Sequence, residues 1–379
     1  MDLSLTESEA AFRDEVRIWL KENHPGPVPE GDDAAEFEFR RAWQKEMHEA
    51  GWTGVSWPEE FGGRGASLIE QAIFNEELAY GSVPPPANVL GLVMGGPVVI
   101  AHGTTEQKER FLEPILSGEE IWCQGFSEPE SGSDLASIKS RAVKSNGGWK
   151  ITGQKVWTTY AHEAKYCMFL ARTDPDAPKH RGITYFILEM DQPGVEVRPL
   201  RQITGEAEFN EIFLEEAQVP DENVIGEVGG GWQVAITTLM FERAGLGAVA
   251  VVGLRRTLED LIALVREKGL ESDPLIRQRI AEFQIGIEAM RLGALRTLTA
   301  TMKTGIPGPE GSLGKWQWGK YNQAMTEMAS EVAGPAGVTV GTDASYRFLR
   351  SRANSIEGGT TEVLQNIIAE RVLGLPKLR

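Results

Sequence analysis

Two charged side chains stand alone in an otherwise neutral stretch of the sequence. Residues 229–254 read GGGWQVAITTLMFERAGLGAVAVVGL, in which only Glu242 and Arg243 are ionisable. Burial among apolar side chains disfavours an ionised carboxylate, and this raises the basicity of a Glu. Adjacent side chains on a helix diverge by about 100°, so Arg243 is poorly placed to neutralise Glu242. The stretch therefore leaves three interpretations of Glu242 open, namely a carboxylate made basic by burial, an ion pair to Arg243 and a solvent-facing side chain.

A polar loop at residues 123–139 is the second candidate. It reads CQGFSEPESGSDLASIK, in which Ser127, Ser131 and Ser133 supply hydroxyl groups and Gly132 leaves room for exposed backbone N–H groups. A flexible loop of this kind suits an anionic or heterocyclic cofactor. A capped turn without a ligand has the same composition, so the loop alone leaves both interpretations open.

The segment GQKVWTT places an aromatic side chain beside two hydroxyl groups. Trp157 precedes Thr158 and Thr159 in a stretch with the character of a strand. A strand Trp usually belongs to a core, but beside a polar loop it also suits the face of an aromatic ligand.

Composition excludes several classes of function. The formal net charge of −17 argues against nucleic-acid binding, which needs a basic surface, and against attraction to a membrane. No signal peptide and no transmembrane segment is recognisable, and the two cysteines, Cys123 and Cys167, form no CxxC motif, so we expect a cytoplasmic protein with reduced thiols. The five histidines are scattered and no metal site is expected, and GxGxxG and GxSxG motifs are absent.

The candidates lie in a sequence with three successive patterns of hydrophobic periodicity. Helical periodicity extends to about residue 121, as in SEAAFRDEVRIWLKEN. Period-two alternation with turn signals follows, including Asn146-Gly147-Gly148 between two alternating segments, and long helical segments resume after it. The sequence predicts an α+β protein with a helical domain at 1–121, a β domain at 122–228 and a helical domain at 229–379.

Four motifs in order give the sequence a family resemblance. GFSEPESGSDLAS, ITGQKVWTT, VPDENVIGEVGGGW and GGTTEVLQNIIAERVLG together resemble the acyl-CoA dehydrogenase family over nearly the whole chain. The resemblance implies an N-terminal helical domain, a middle β-barrel-like domain and a C-terminal four-helix bundle, with FAD between the last two. It also implies the family reaction, in which an acyl-CoA thioester loses its α-proton to a base and a β-hydride to flavin N5, giving the trans-2-enoyl-CoA.

The position of the base departs from the commonest family pattern. Many members carry it as a Glu immediately before Gly-Thr in the C-terminal motif, where this sequence, SIEGGTTEVLQ, has Gly358. The segment MFERAGLG is similar to a branch that includes isovaleryl- and long-chain acyl-CoA dehydrogenases, and there the base matches Glu242. Glu357 is a further alternative, although a one-residue shift moves the chain by about 3.8 Å. The resemblance leaves Gly358 a role, because its backbone N–H and a flavin hydroxyl bind the thioester carbonyl in the family.

The motifs also imply contacts with the cofactor and the substrate. Ser133 and Arg243 match positions near the CoA arm or the reacting centre. The flavin contacts implied by the resemblance are Gln124, Phe126, Ser127, Gly132, Ser133, Trp157, Thr159, Thr360 and Glu362.

Other departures concern partners and substrate. REKGLESDPLIRQRI lacks the Phe-Gly that reaches the adenosine diphosphate half of FAD in a neighbouring subunit, and EVAGPAG has Glu331 and Pro335 where Gln and Gly are common. We expect a homo- or hetero-oligomer, a dimer or tetramer, that passes electrons to an electron-transferring flavoprotein. A non-catalytic subunit of a hetero-oligomer and a flavin monooxygenase are the alternatives. Gly95 and Gly96, together with Gly245 and Gly247 just after Glu242, indicate either width for a bulky acyl group or close helix packing.

Overall fold

The order of elements is helices, then a β-sheet, then helices, which confirms the predicted α+β class. A computed structural model describes residues 4–29, 31, 33–304 and 308–377, with the side chains of 242–248 and 304 outside the description. Within those residues, no helix has both the length and the hydropathy needed to cross a membrane.

The helices begin and end largely where local signals predict. Thr6 caps the first helix in a capping box with Glu9, and Gly118 ends another helix with a left-handed φ of 76°. A π-helical turn, Gly91–Gly95, precedes the fourth helix. The α-helices are α1 Glu7–Glu22, α2 Asp33–Glu49, α3 Leu68–Gly81, α4 Gly96–His102, α5 Thr105–Ser117, α6 Gly231–Glu267, α7 Pro274–Thr304, α8 Gly311–Ala333, α9 Asp343–Ser351 and α10 Thr361–Ile367.

The strands form one eight-stranded sheet with the order β6-β7-β3-β2-β4-β5-β8, and β1 pairs with β4 off this path. The predicted hairpin is confirmed, because β2 and β3 are antiparallel and Ser145 pairs with Gly148 across it. The strands are β1 Trp122–Gly125, β2 Arg141–Ser145, β3 Gly148–Thr159, β4 Tyr166–Arg172, β5 Ile183–Glu189, β6 Val195–Leu200, β7 Phe209–Pro220 and β8 Val224–Ile225.

The sheet is covered on both faces, so its central strands are almost continuously apolar. In β4, Met168 and Leu170 contribute to one core, which also contains residues of α5. Cys167 and Phe169 face the other way into a core built almost entirely from strand residues. The sheet thus curves around a core of its own, in agreement with the barrel-like form that the resemblance implies.

The chain divides into two compact units. Unit 1 contains residues 1–23, 68–82 and 243–379, and unit 2 contains residues 24–67 and 83–242. Unit 1 is helical and has its core between α6, α7 and α8, whereas unit 2 contains the sheet. These units do not follow the three predicted domains, whose limits stay a prediction.

Candidate functional site

The first motif loop of unit 2 runs directly from strand β1. Gln124 lies in β1 and is half-buried, and Phe126 is buried with its ring edge-on to Tyr185, 5.9 Å between centroids. The carbonyl of Ser127 accepts a hydrogen bond of 3.0 Å from the N–H of Val156 in β3. The two motifs GFSEPESGSD and GQKVWTT are therefore adjacent in space, although residues 135–152 lie between them in the sequence.

A buried ion pair ties these two motifs together. Lys155 has no solvent exposure, and its Nζ lies 2.9 Å from Glu128 Oε1 and 3.0 Å from the carbonyl oxygen of Phe126. Glu128 also accepts the backbone N–H groups of Lys139 at 2.6 Å and Ser140 at 2.9 Å. Hydrogen bonds to Glu128 thus hold the loop at its start and at its end.

The electrostatics of this pair favour the charged carboxylate. Burial by itself raises the pKa of Glu128, but the Lys155 charge and the hydrogen bonds from Lys139, Lys155 and Ser140 outweigh it and hold the pKa below its usual value. Burial lowers the pKa of Lys155, while the charge and the hydrogen bond of Glu128 act in the opposite direction. Each group stabilises the charge of the other, so removal of either one leaves a buried charge without its partner and destabilises the folded protein.

Trp157 combines an unusual backbone angle with an exposed side chain. Its φ of 61° lies in the left-handed region, at an irregularity in the β3–β7 pairing between Lys155 and Thr158. The side chain is 60% exposed and meets Phe209 edge-on, with 6.0 Å between ring centroids. A bulky residue in the left-handed region costs about 1–2 kcal/mol. Here an unfavourable backbone angle holds an indole at the surface of unit 2, so the alternative of a core Trp is wrong.

Polar groups for a ligand lie beside this indole in the sequence and in the first motif loop. Thr159 ends β3 and is half-buried, whereas Gly132 and Ser133 are exposed. A Cβ added to Gly132 would meet no atom within 4 Å. Hydroxyl groups, open backbone and an exposed indole form a set of donors suited to a flat heteroaromatic ligand with polar edges.

The C-terminal motif lies in unit 1. Gly358 and Gly359 have positive φ angles of 62° and 99°, which explains why glycine occupies both positions. Thr360 caps α10 by accepting the N–H of Val363 at 3.3 Å, and Glu362 is exposed in the first turn of that helix. The motif therefore makes a sharp turn into a short helix.

Glu357, the alternative base, is occupied by other partners. Its carboxylate accepts hydrogen bonds from the Arg350 guanidinium at 3.1 and 3.3 Å and from Asn354 Nδ2 at 2.6 Å. Both oxygens of this carboxylate are therefore engaged by neighbours within unit 1.

Glu242 and Arg243 belong to α6, but their side chains lie outside the described residues. The turns before them are described. Val234 is buried, and Leu239 and Phe241 pack against the same core in unit 2. The chain thus enters position 242 from an apolar helix face.

Gly95 and Gly96 leave no open width in unit 2. A Cβ at Gly96 would lie 2.0 Å from the ring of Trp57, and a Cβ at Gly95 would lie 3.0 Å from the ring of Trp122. Two indoles fill the space, so close packing is the correct alternative at these positions. Gly245 and Gly247, for which the sequence also indicates width or close packing, lie outside the described side chains.

Sequence reasoning missed Lys155 and Glu128, although a signal for both was present. Lys155 has the same parity in β3 as the buried Ile151, so period-two alternation points its charged side chain inward. A buried cation requires an anionic partner, and Glu128 lies in the neighbouring motif GFSEPESGSD.

Comparison with known proteins is consistent along the chain. Models of the N-terminal, middle and C-terminal domains of acyl-CoA dehydrogenase match residues 6–119, 123–217 and 229–373. A Mycolicibacterium smegmatis protein named acyl-CoA dehydrogenase IpdE1 is 41% identical over 387 residues, which cover 97% of each chain.

Solved structures of similar fold support the same family. One described as the Tcur3481-Tcur3483 steroid ACAD has a TM-score of 0.86 at 29% identity, and the match covers 100% of both chains. The ChsE4-ChsE5 complex from Mycobacterium tuberculosis has a TM-score of 0.83 at 25% identity, again with 100% coverage of both chains. By similarity over nearly its whole length, and by its order of helices, sheet and helices, the chain belongs to the acyl-CoA dehydrogenase family and is an oxidoreductase.

Proposed function

We propose that the protein catalyses the FAD-dependent α,β-dehydrogenation of an acyl-CoA thioester, with Glu242 as the general base. One observation in the described residues carries the proposal beyond family membership. The buried Lys155–Glu128 pair joins the two motif segments of unit 2, and the second of them holds Trp157 exposed in a strained conformation. Strain of this kind persists where the surrounding structure enforces it, and it concentrates at ligand sites.

The residues present fit FAD. The exposed Trp157 suits the face of a tricyclic ring, and Ser127, Ser133 and Thr159 supply hydroxyl groups for its polar edge. Gln124 and Phe126, Gly132, Thr360 and Glu362 complete the proposed set of contacts. When bound, FAD supplies the hydride acceptor at N5.

Glu242 is proposed to take the α-proton of the substrate. The apolar residues before it in α6 favour a dry environment, which raises the basicity of a carboxylate. Gly358 has no side chain to do this, and Glu357 is engaged by Arg350 and Asn354. Arg243 is proposed to contact the pantetheine arm or the reacting centre.

Gly358 and Ser133 are proposed to position the substrate. A backbone N–H at Gly358 would donate to the thioester oxygen as negative charge develops there, and one such donor is typically worth about 10²–10³ in kcat. The exposed Ser133 would contact the CoA arm.

The proposed assembly is a hetero-oligomer. Glu331 holds a carboxylate where an amide is common in the family, and it forms an ion pair of 2.6 Å with Arg279 in unit 1. The segment REKGLESDPLIRQRI of the same unit lacks the Phe-Gly that reaches the adenosine diphosphate half of FAD in the family. We therefore propose that a non-identical subunit completes the adenosine diphosphate half of the FAD site, and that electrons leave to an electron-transferring flavoprotein. Two subunits of different mass in native mass spectrometry would support this, and a homo-oligomer with full flavin occupancy would contradict it.

Turnover measurements with a panel of acyl-CoA thioesters test the proposal. Because one structural relative is described as a steroid ACAD, the panel should include polycyclic as well as straight-chain acyl groups. Glu242→Gln should lower kcat by about 10²–10⁴, the usual contribution of a general base, with flavin content unchanged. Glu259→Gln, an exposed Glu on the same helix, serves as the matched control.

Three outcomes would contradict the proposed function, each in a different part. Loss of activity in Glu357→Gln but not in Glu242→Gln would reassign the base. Rapid reoxidation of the flavin by air with substrate hydroxylation would indicate a monooxygenase. A purified protein that holds no flavin, even with its co-purified subunit, would indicate a non-catalytic subunit.

A further inference from the structure

One face of α8 is built against the turn that carries Gly358. Lys315 is 4% exposed, and its Nζ donates to the carbonyl of Asn354 at 2.8 Å and to the carbonyl of Gly359 at 2.9 Å. One turn further along the helix, a Cβ added to Gly319 would lie 2.8 Å from the Asn354 carbonyl oxygen. The helix and the turn are therefore in direct contact.

Asn354 extends this contact through its side chain. Its Oδ1 accepts Nδ2 of Asn322 at 2.8 Å, and its Nδ2 donates to Glu357 Oε1 at 2.6 Å. Residues 315, 319 and 322 follow the helical spacing i, i+4, i+7, so they share one face of α8. This face contacts both ends of the segment 354–359.

The segment requires such support because of its glycines. Gly358 and Gly359 have positive φ angles of 62° and 99°, and glycine loses more conformational freedom on folding than any other residue. Two consecutive glycines leave many backbone conformations open to the Gly358 N–H. The bond from Lys315 to the Gly359 carbonyl restricts them from the C-terminal side, and the Asn354 contacts restrict them from the N-terminal side.

We propose that Lys315 is a positioning residue that holds the Gly358–Gly359 turn so that the Gly358 N–H meets the thioester oxygen of the substrate. This rests on the proposed function. Lys315 bonds the peptide group between Gly359 and Thr360, one peptide group beyond Gly358–Gly359. Its ammonium group therefore fixes the position of the Gly358 backbone and does not polarise the Gly358 N–H group directly. A misplacement of about 1 Å in such a donor is expected to lower the rate by about 10²-fold.

The test measures enolate stabilisation without turnover. An acyl-CoA analogue with sulfur in place of the β-carbon ionises at the α-carbon but has no β-hydride to lose. Exchange of its α-protons in D₂O, followed by mass spectrometry on the flavin-loaded protein with any co-purified subunit, reports on the base and on the oxyanion donor. Lys315→Met should lower the exchange rate by about 10²-fold and change the dissociation constant of the analogue much less. Lys303→Met, an exposed lysine on α7, is the matched control and should leave exchange unchanged.

Gly319→Ala disturbs the same turn without altering Lys315. The added Cβ would push against the Asn354 carbonyl, so slower exchange is expected here too. If Lys315→Met does not fold, the exchange rate of Gly319→Ala tests the proposal in its place. Unchanged exchange in folded Lys315→Met, or in Gly319→Ala when it is the deciding variant, overturns the proposal. If the wild-type protein binds the analogue but exchanges no α-proton, the proposed function itself fails instead.

Discussion

Replacement of Lys155 by Met should destabilise the protein severely, although the ion pair it breaks is of ordinary length. Lys155 is fully buried, and the change leaves the Glu128 carboxylate buried without its cation and the Phe126 carbonyl without its donor. Loss of one partner of a buried pair costs about 3–5 kcal/mol. Guanidinium unfolding followed by tryptophan fluorescence measures the loss, and flavin titration of the folded variant should show weakened binding because both motif segments lose their connection.

A second ion pair on the same strand is the matched control. Lys150 and Glu216 lie 2.7 Å apart, closer than the 2.9 Å of the Lys155–Glu128 pair, but their side chains are 40% and 64% exposed. Solvent screens exposed pairs, so Lys150→Met should leave the unfolding midpoint and flavin binding unchanged within error. Burial, and not distance, decides the difference.

A double-mutant cycle separates the pair from the packing of the Lys155 stem. Glu128→Gln removes the charge and keeps an acceptor oxygen for one of the two backbone N–H groups of Lys139 and Ser140, which donate to different carboxylate oxygens of Glu128. Lys155→Met combined with Glu128→Gln should cost about 1–3 kcal/mol less than the sum of the two single changes. Strict additivity, or a Lys155→Met protein as stable as Lys150→Met, would refute the reasoning.

Three further predictions concern single positions. Trp157→Gly should be about 1 kcal/mol more stable than Trp157→Ala in urea unfolding of the flavin-free protein, because only glycine adopts a φ of 61° without strain; equal stabilities would contradict this. Gly96→Ala should lose about 1–3 kcal/mol because its Cβ would meet the ring of Trp57 at 2.0 Å. By contrast, Gly293→Ala, with no atom within 4 Å in helix α7, should gain up to about 1 kcal/mol; a reversed order in thermal unfolding would show that the packing is misjudged. Burial lowers the pKa of His102, so the unfolded chain takes up this proton first and the free energy of unfolding should fall as the pH drops below 6.5. His102→Gln should flatten that fall, and an identical pH profile in the variant would exclude His102 as its source.

Local signals in the sequence accounted for the elements of the fold. The Asn146-Gly147-Gly148 turn and the capping residue Thr6 each act within a few residues of chain, so they can be read without knowing what packs nearby. The order of the four motifs likewise identified the family, since each motif is a contiguous stretch. The limits of the three domains and the role of Glu242 stay predictions.

Tertiary structure alone decided which side chains distant in the sequence meet. Lys155 is 27 residues from Glu128, and Lys315 is 39 residues from Asn354, so no local pattern pairs them. The same holds for Glu357, whose alternative role as a base depends on the donors around it, and for Gly96, whose apparent space is filled by Trp57. Burial and hydrogen bonding are properties of chain segments that meet only in the folded protein, and it is these that fix the charge, basicity and position of a side chain.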